Sequence, residues 1–163
     1  MSNQKLYVVL DNIRSRENVG SIFRTVDAAG VSKIYLCGIT PMPPHDKISK
    51  TALGAEKWIP WEYHKQTWRL LKILKSKNIL TSDSKLKRIF VVGLEKTPKS
   101  INIFKFQKPK NRSIVLVVGN EVKSLSHKIL KYCDEIVSIP MVGKKESLNV
   151  AVAFGICVYL LKQ

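Results

Sequence analysis

Apolar positions along this chain alternate between two rhythms. Short continuous runs at 6–10 (Leu-Tyr-Val-Val-Leu), 34–37, 89–92, 114–118 and 136–139 read as buried strands. Between them, apolar residues recur at helical spacing. Val19, Ile22, Phe23, Val26 and Ala29 form one such stripe, with Asn18 as the expected N-cap and Gly30 as the stop. A second amphipathic helix is expected over 65–77, with Leu70, Leu71, Ile73 and Leu74 on one face and Lys65, Arg69 and Lys72 on the other. Further helices are expected at about 126–132 and 148–161. The stretch carrying Pro41, Pro43 and Pro44 reads as a long loop running to about Leu53. Residues 57–61 read as a short edge strand, because Pro60 excludes a central position. Continuous apolar strands alternating with helices predict an α/β fold, a parallel sheet with helices on both faces, in a single domain over 1–163.

Charge narrows the function. Lys plus Arg number 28 against 12 Asp plus Glu, a net +16 over 163 residues. Such an excess favours a polyanionic partner, nucleic acid first and an anionic membrane surface second. Within 65–88, eight residues are Lys or Arg and one, Asp83, is acidic. The longest apolar run, 148–161, is interrupted by Asn149 and Gly155 and falls short of the ~20 residues of a membrane span. The opening Met1-Ser-Asn-Gln-Lys5 has no leader character, so a soluble, cytoplasmic protein is expected. Cys37, Cys133 and Cys157 form no C-x-x-C pair and have no neighbouring histidine, which points to buried thiols and to no metal.

In parallel α/β sheets, ligands bind beyond the carboxyl ends of the strands. Three segments following such ends are dense in Gly, Asn, Ser and charge. The first runs from Asp11 to Gly20 and into the helix carrying Arg24, which lies about 140° around from Val19 at ~100° per residue. A solvated Arg24 pairing with Asp27 is the plain alternative for that side chain. The second is Gly119-Asn120-Glu121, where a glycine lets a ligand approach the backbone. The third is Ile139-Pro-Met141-Val-Gly143, followed by Ser147-Leu148-Asn149 at the start of the last helix, with Ser147 as its expected cap. The chain has neither G-x-G-x-x-G nor a Walker lysine loop, which disfavours a dinucleotide or a nucleoside triphosphate.

Taken together and in this order, the segments resemble the three motifs of the SpoU/TrmH branch of the SPOUT RNA 2′-O-ribose methyltransferases. The first motif is similar to residues 18–31, the second to Gly119-Asn-Glu121 with Leu125, and the third to 139–143 with 147–150. Residues 49–58 are similar to a loop and strand of tRNA-modifying members. The resemblance spans essentially the whole chain. It departs at Ser124, where the family usually has glycine.

The resemblance implies a C-terminal deep trefoil knot, an exception to the rule that chains avoid knots. It implies S-adenosyl-L-methionine as cofactor, held by Leu94, Gly119, Asn120, Ile139, Met141, Gly143, Ser147 and Leu148. Arg24, Asn18, Glu121, Ser147 and Asn149 would form the catalytic group. Arg24 would orient the target ribose through its phosphate, with a phosphate oxygen or a perturbed arginine taking the proton. Arg14, Arg16, Lys65, Arg69 and Lys72 are the expected RNA contacts. The implied partners are RNA, with tRNA favoured over ribosomal RNA, and a second copy in a homodimer. The 148–161 helix, with Phe154 and Tyr159, would supply part of that interface. A catalytically silent RNA-binding protein of the same fold is the alternative.

Overall fold

The computed structural model describes residues 4–80 and 86–163. Residues 1–3, where the absence of a leader was expected, lie outside the described residues, as do Asp83 and Lys85 of the basic stretch. The elements in chain order are β1 (Leu6–Asp11), α1 (Arg16–Ala29), β2 (Lys33–Cys37), α2 (Asp46–Ala52), β3 (Trp61–His64) and α3 (Thr67–Ser76). They continue with β4 (Asn78–Leu80), β5 (Leu86–Arg88), β6 (Phe90–Leu94), β7 (Ile101–Asn102), β8 (Ile114–Gly119), α4 (His127–Leu130), β9 (Glu135–Ser138) and α5 (Val150–Lys162).

Seven strands form one sheet in the order β3-β2-β1-β8-β6-β9-β7, and every pairing in it is parallel. β4 and β5 make a separate antiparallel pair. Alternate side chains of the central strands enter two cores. Val8, Leu10, Leu36, Leu116 and Val118 meet α1, α2 and α5 through Phe23, Ile48, Phe154 and Val158. On the other face Val9, Cys37, Val115 and Val117 meet α3 and α4 through Leu70, Leu71, Leu74 and Ile129. Burial on both faces is the physical reason these strands read as unbroken apolar runs.

Register places the carboxyl ends level with one another. Asp11 is paired with Cys37 and with Gly119, and Leu94 with Val118 and Val137. The three chemically dense segments therefore leave from one edge of the sheet.

Several sequence expectations change. The stretch ending at Leu53 contains α2, with His45 Nδ1 accepting from Lys47 N at its start and Leu53 closing it in the left-handed region at φ 52°. Only Ile48 and Ala52 of that helix are buried, too short a stripe to register as periodicity. The edge strand begins at Trp61, after Pro60 and a short 3-10 turn at Ala55–Lys57. Ile73 is 49% exposed, outside the buried face of α3 formed by Thr67, Leu70, Leu71 and Leu74.

Candidate active site at the carboxyl edge of the sheet

α1 starts one turn earlier than its apolar stripe suggests. Ser15, and not Asn18, is the N-cap: its side chain accepts from Asn18 N at 3.1 Å. That assignment frees the Asn18 side chain. Gly30 closes the helix as expected, at φ 66° with its N–H donating to Asp27 O. α5 likewise is capped by Asn149 rather than Ser147, with Asn149 Oδ1 accepting from Ala151 N at 2.9 Å and Val152 N at 3.4 Å.

These caps build a relay across three distant segments. Asn149 Oδ1 is committed to the helix, so its Nδ2 points outward and donates to Asn18 Oδ1 at 3.1 Å. Asn18 Nδ2 in turn donates to Glu121 Oε1 at 2.9 Å. Each amide has one orientation that satisfies both neighbours, so the chain Asn149–Asn18–Glu121 is directional. The resemblance grouped these residues, and the fold joins them by hydrogen bonds.

Glu121 sits on a turn fixed by buried Asn120. Asn120 Oδ1 accepts from Val122 N at 2.7 Å and Lys123 N at 3.1 Å, while its Nδ2 donates to Asn12 O at 2.9 Å. Ser124 N donates to Asn120 O at 3.0 Å, which completes the turn with Ser124 at φ 58°. That backbone region is strained for any residue with a Cβ, which gives the physical basis for glycine as the usual residue here. Gly119 has a packing role too: a Cβ there would lie 2.8 Å from Leu125 Cδ2 and 3.2 Å from Leu125 N.

Beside this turn is a cavity of about 410 Å³ between the ends of β6, β8 and β9 and the start of α5. Leu94, Gly119, Asn120, Ile139, Met141, Ser147 and Leu148, all anticipated from sequence, line it. Gly143 does not. It lies in an open stretch where a Cβ would meet nothing within 4 Å, so bulk at this position does not block the cavity in a single chain. Sequence reasoning named one acid of this cavity, Glu121, and missed two, Glu95 and Glu146. Glu95, Glu121 and Glu146 all line the cavity, with Lys96 the cation beside them. Glu95 Oε2 also accepts from Leu125 N at 2.9 Å, tying the turn to the end of β6. The position of Glu95 directly after an apolar strand was the available signal.

Arg24 is exposed on α1 and does not line this cavity. It makes no ion pair or hydrogen bond among the described residues. Asp27, its possible partner, instead accepts from Trp58 Nε1 at 3.0 Å. Arg14, Arg16, Lys65, Arg69 and Lys72 are all exposed. They are divided between two sides: Arg16 is on α1 and Arg69 and Lys72 are on α3, helices that cover opposite faces of the sheet. Among the described residues, no group of three or more His, Cys, Asp or Glu could hold a metal ion. No helix there is long and apolar enough to cross a membrane.

The sequence profile of the SpoU rRNA Methylase family matches residues 5–159. The 23S rRNA (guanosine-2′-O-)-methyltransferase RlmB of Escherichia coli is 29% identical over 157 residues, 96% of this chain and 59% of its own length. The chain thus spans less than two thirds of that relative. The SpoU methyltransferase AviRb from Streptomyces viridochromogenes, solved in complex with AdoMet, superposes with a TM-score of 0.83 at 25% identity, covering 99% of this chain and 61% of its own. The A. aeolicus TrmH/SpoU tRNA modifying enzyme superposes with a TM-score of 0.81 at 28% identity, covering 99% of this chain and 75% of its own.

Proposed function

The chain belongs to the SpoU rRNA methylase family, and from that premise we propose that it transfers a methyl group from S-adenosylmethionine to a ribose 2′-hydroxyl of RNA. The observation that carries this reading is the character of the 410 Å³ cavity. Three of the chain's twelve acids, Glu95, Glu121 and Glu146, gather around a pocket of mixed apolar and polar lining that holds one cation, Lys96, in a protein of net charge +16. A cationic ligand with an apolar body fits that environment, and a nucleoside polyphosphate does not. S-adenosylmethionine combines a sulfonium and an ammonium with an adenine ring. Leu94, Ile139, Met141 and Leu148 would pack the ring and carbon chain, Ser147 and the backbone at Gly119 and Asn120 would take its polar edges, and the acids would meet its positive charge. When bound, the cofactor supplies an already activated methyl group.

What remains for this chain is to position the ribose and help remove its proton. Arg24 is the phosphate-holding group. Its guanidinium is permanently charged and bidentate, suited to fixing the phosphate next to the target ribose, while a phosphate oxygen takes the 2′ proton. The Asn149–Asn18–Glu121 relay holds the floor of that site, and Ser147 orients its cofactor side.

We read the working unit as a homodimer, because Arg24 stands outside the cavity wall of its own chain. A second copy would bring Arg24 to the partner's cofactor. The support is the outer face of α5, where Val152 is 53% exposed and Tyr159 49% exposed, alongside α1 with Gly155 facing Thr25. Phe154, expected in that interface, is fully buried in the core and is withdrawn from it. We read the C-terminal part as a trefoil knot. β9 enters the sheet between β6 and β7, which both precede it, and in a knot the chain after β9 would pass through one of the preceding connections on its way to α5. Residues 1–163 are taken as one catalytic domain acting in the cytoplasm. Ribosomal RNA and tRNA have equal support as substrates, given the relatives' names, so the tilt toward tRNA is not retained.

Titration of S-adenosylmethionine in a calorimeter tests the cavity assignment. One site per chain is expected, with a melting temperature that rises with ligand as mass action requires. Absence of both heat and shift at millimolar ligand sinks the assignment.

A further inference from the structure

A second cavity, of about 210 Å³, opens at the same edge of the sheet on the α3/α4 side. Its walls include Asp11, Asn12, Gln66, Trp68 and Ser126, with Lys65 at its mouth. Asp11 is only 4% exposed. One of its oxygens, Oδ1, accepts from Thr67 Oγ1 at 2.5 Å and from Asn12 Nδ2 at 3.3 Å. The other takes no hydrogen bond among the described residues. Burial also pushes the Asp11 carboxyl above its ordinary range, with the Thr67 and Asn12 bonds opposing the shift. A carboxylate held by its neighbours through one oxygen, with the other open to a cavity, is placed to accept from a donor that enters there.

The rim is cationic. Trp68 lies under Lys128 Nζ, 3.8 Å from its ring centroid, and under Arg69 Cζ at 5.2 Å. Cation–π contact holds both charges beside the cavity mouth, where Lys65 adds a third. The two cavities share a wall. Asn120 lines the larger and Asn12 the smaller, and Asn120 Nδ2 donates to Asn12 O between them.

We propose that this smaller cavity receives an unpaired RNA base carrying an exocyclic amino group, the amine donating to Asp11 while Lys65, Arg69 and Lys128 hold the flanking phosphates. The proposal rests on the RNA-methyltransferase reading and names how that enzyme selects sequence. Single-stranded bases splayed into pockets and read on their hydrogen-bonding edges are the usual mode of sequence-specific RNA recognition. A carboxylate accepts from an amino group and has nothing to offer the O4 of uracil.

The test compares fluorescein-labelled cytidine and uridine hexamers by polarisation at fixed low salt. The wild type is expected to bind the cytidine hexamer about tenfold more tightly, within the discrimination of one good side-chain–base pair. Asp11→Asn should keep the fold, because the Thr67 and Asn12 donors retain an oxygen at the Oδ1 position. They turn the new NH2 toward the cavity, so the preference should vanish or invert toward uridine. Gln66→Phe, at an exposed wall position whose side chain caps nothing, should fill the cavity and weaken both hexamers without moving S-adenosylmethionine affinity. It keeps the test decisive should Asp11→Asn fail to fold. Equal binding of the two hexamers by the wild type overturns the proposal, as does an unchanged preference in a folded Asp11→Asn. So does Gln66→Phe with wild-type affinity for both. Loss of the methyltransferase reading would show separately, as no cofactor binding and no methyl on RNA.

Discussion

Gly20→Ala sets helix propensity against packing and gives opposite signs for the two. An alanine in a helix interior is ordinarily favoured over glycine by about 0.8–1 kcal/mol. Gly20 lies where α1 crosses α2, and a Cβ there would stand 2.0 Å from Thr51 Oγ1 and 2.3 Å from the carbonyl oxygen of Ile48. Thr51 can rotate away, giving up its donation to Glu17 O at 2.9 Å. The Ile48 carbonyl belongs to α2 and cannot. Normal carbon–oxygen contact is about 3.3 Å or more, so the helices must separate by about 1 Å. Overpacking of this kind costs about 1–3 kcal/mol and the lost hydrogen bond about 0.5–1.5. After the gain in propensity, the net is a destabilisation of about 2 kcal/mol. Urea unfolding followed by circular dichroism should show the midpoint falling by roughly 1 M at unchanged slope. Because α1 carries Asn18 and Arg24, methyl transfer should fall as well. A midpoint equal to or above the wild type's would refute the packing argument and leave propensity as the larger effect.

Other substitutions probe different parts of the account. Ser124→Gly, at φ 58°, should raise stability by about 0.5–1 kcal/mol, since relief of left-handed strain exceeds the entropic cost of glycine; a lower melting temperature counts against the strain assignment. Arg24→Ala should abolish transfer while leaving S-adenosylmethionine affinity within about threefold, because the role proposed for Arg24 is on the RNA side; an equal loss of cofactor binding in calorimetry contradicts that role. Burial pushes Cys37, Cys133 and Cys157 up to about 12. At pH 8 their thiolate fraction should be roughly a thousandfold below that of the unfolded chain, so iodoacetamide should label the native protein far more slowly than the denatured one. Rapid native labelling would place at least one thiol outside the core.

The fold class was legible because β1, β2, β6 and β8 are buried on both faces and leave no alternation in the sequence. The start of α1 was not, because Ser15 and Asn18 are both good cap residues and only geometry chooses between them. That choice matters: an Asn18 engaged as a cap could not join Asn149 to Glu121. α2 escaped detection with two buried residues, and β7 with two residues in all. The apolar lining of the larger cavity followed from its motifs. So did Glu121, but Glu95 and Glu146 did not, because they lie in loops where a solvated glutamate is the common case and only the fold brings them to the cavity.

The central claim is transfer of a methyl to a ribose oxygen. Protein incubated with methyl-labelled S-adenosylmethionine and, separately, with tRNA and ribosomal RNA from cells lacking it should yield one labelled 2′-O-methyl nucleoside by mass spectrometry. The modified linkage should resist alkaline hydrolysis, and a deoxyribose at the target should eliminate transfer. Label on a base, or no label on either RNA despite measured cofactor binding, contradicts the claim.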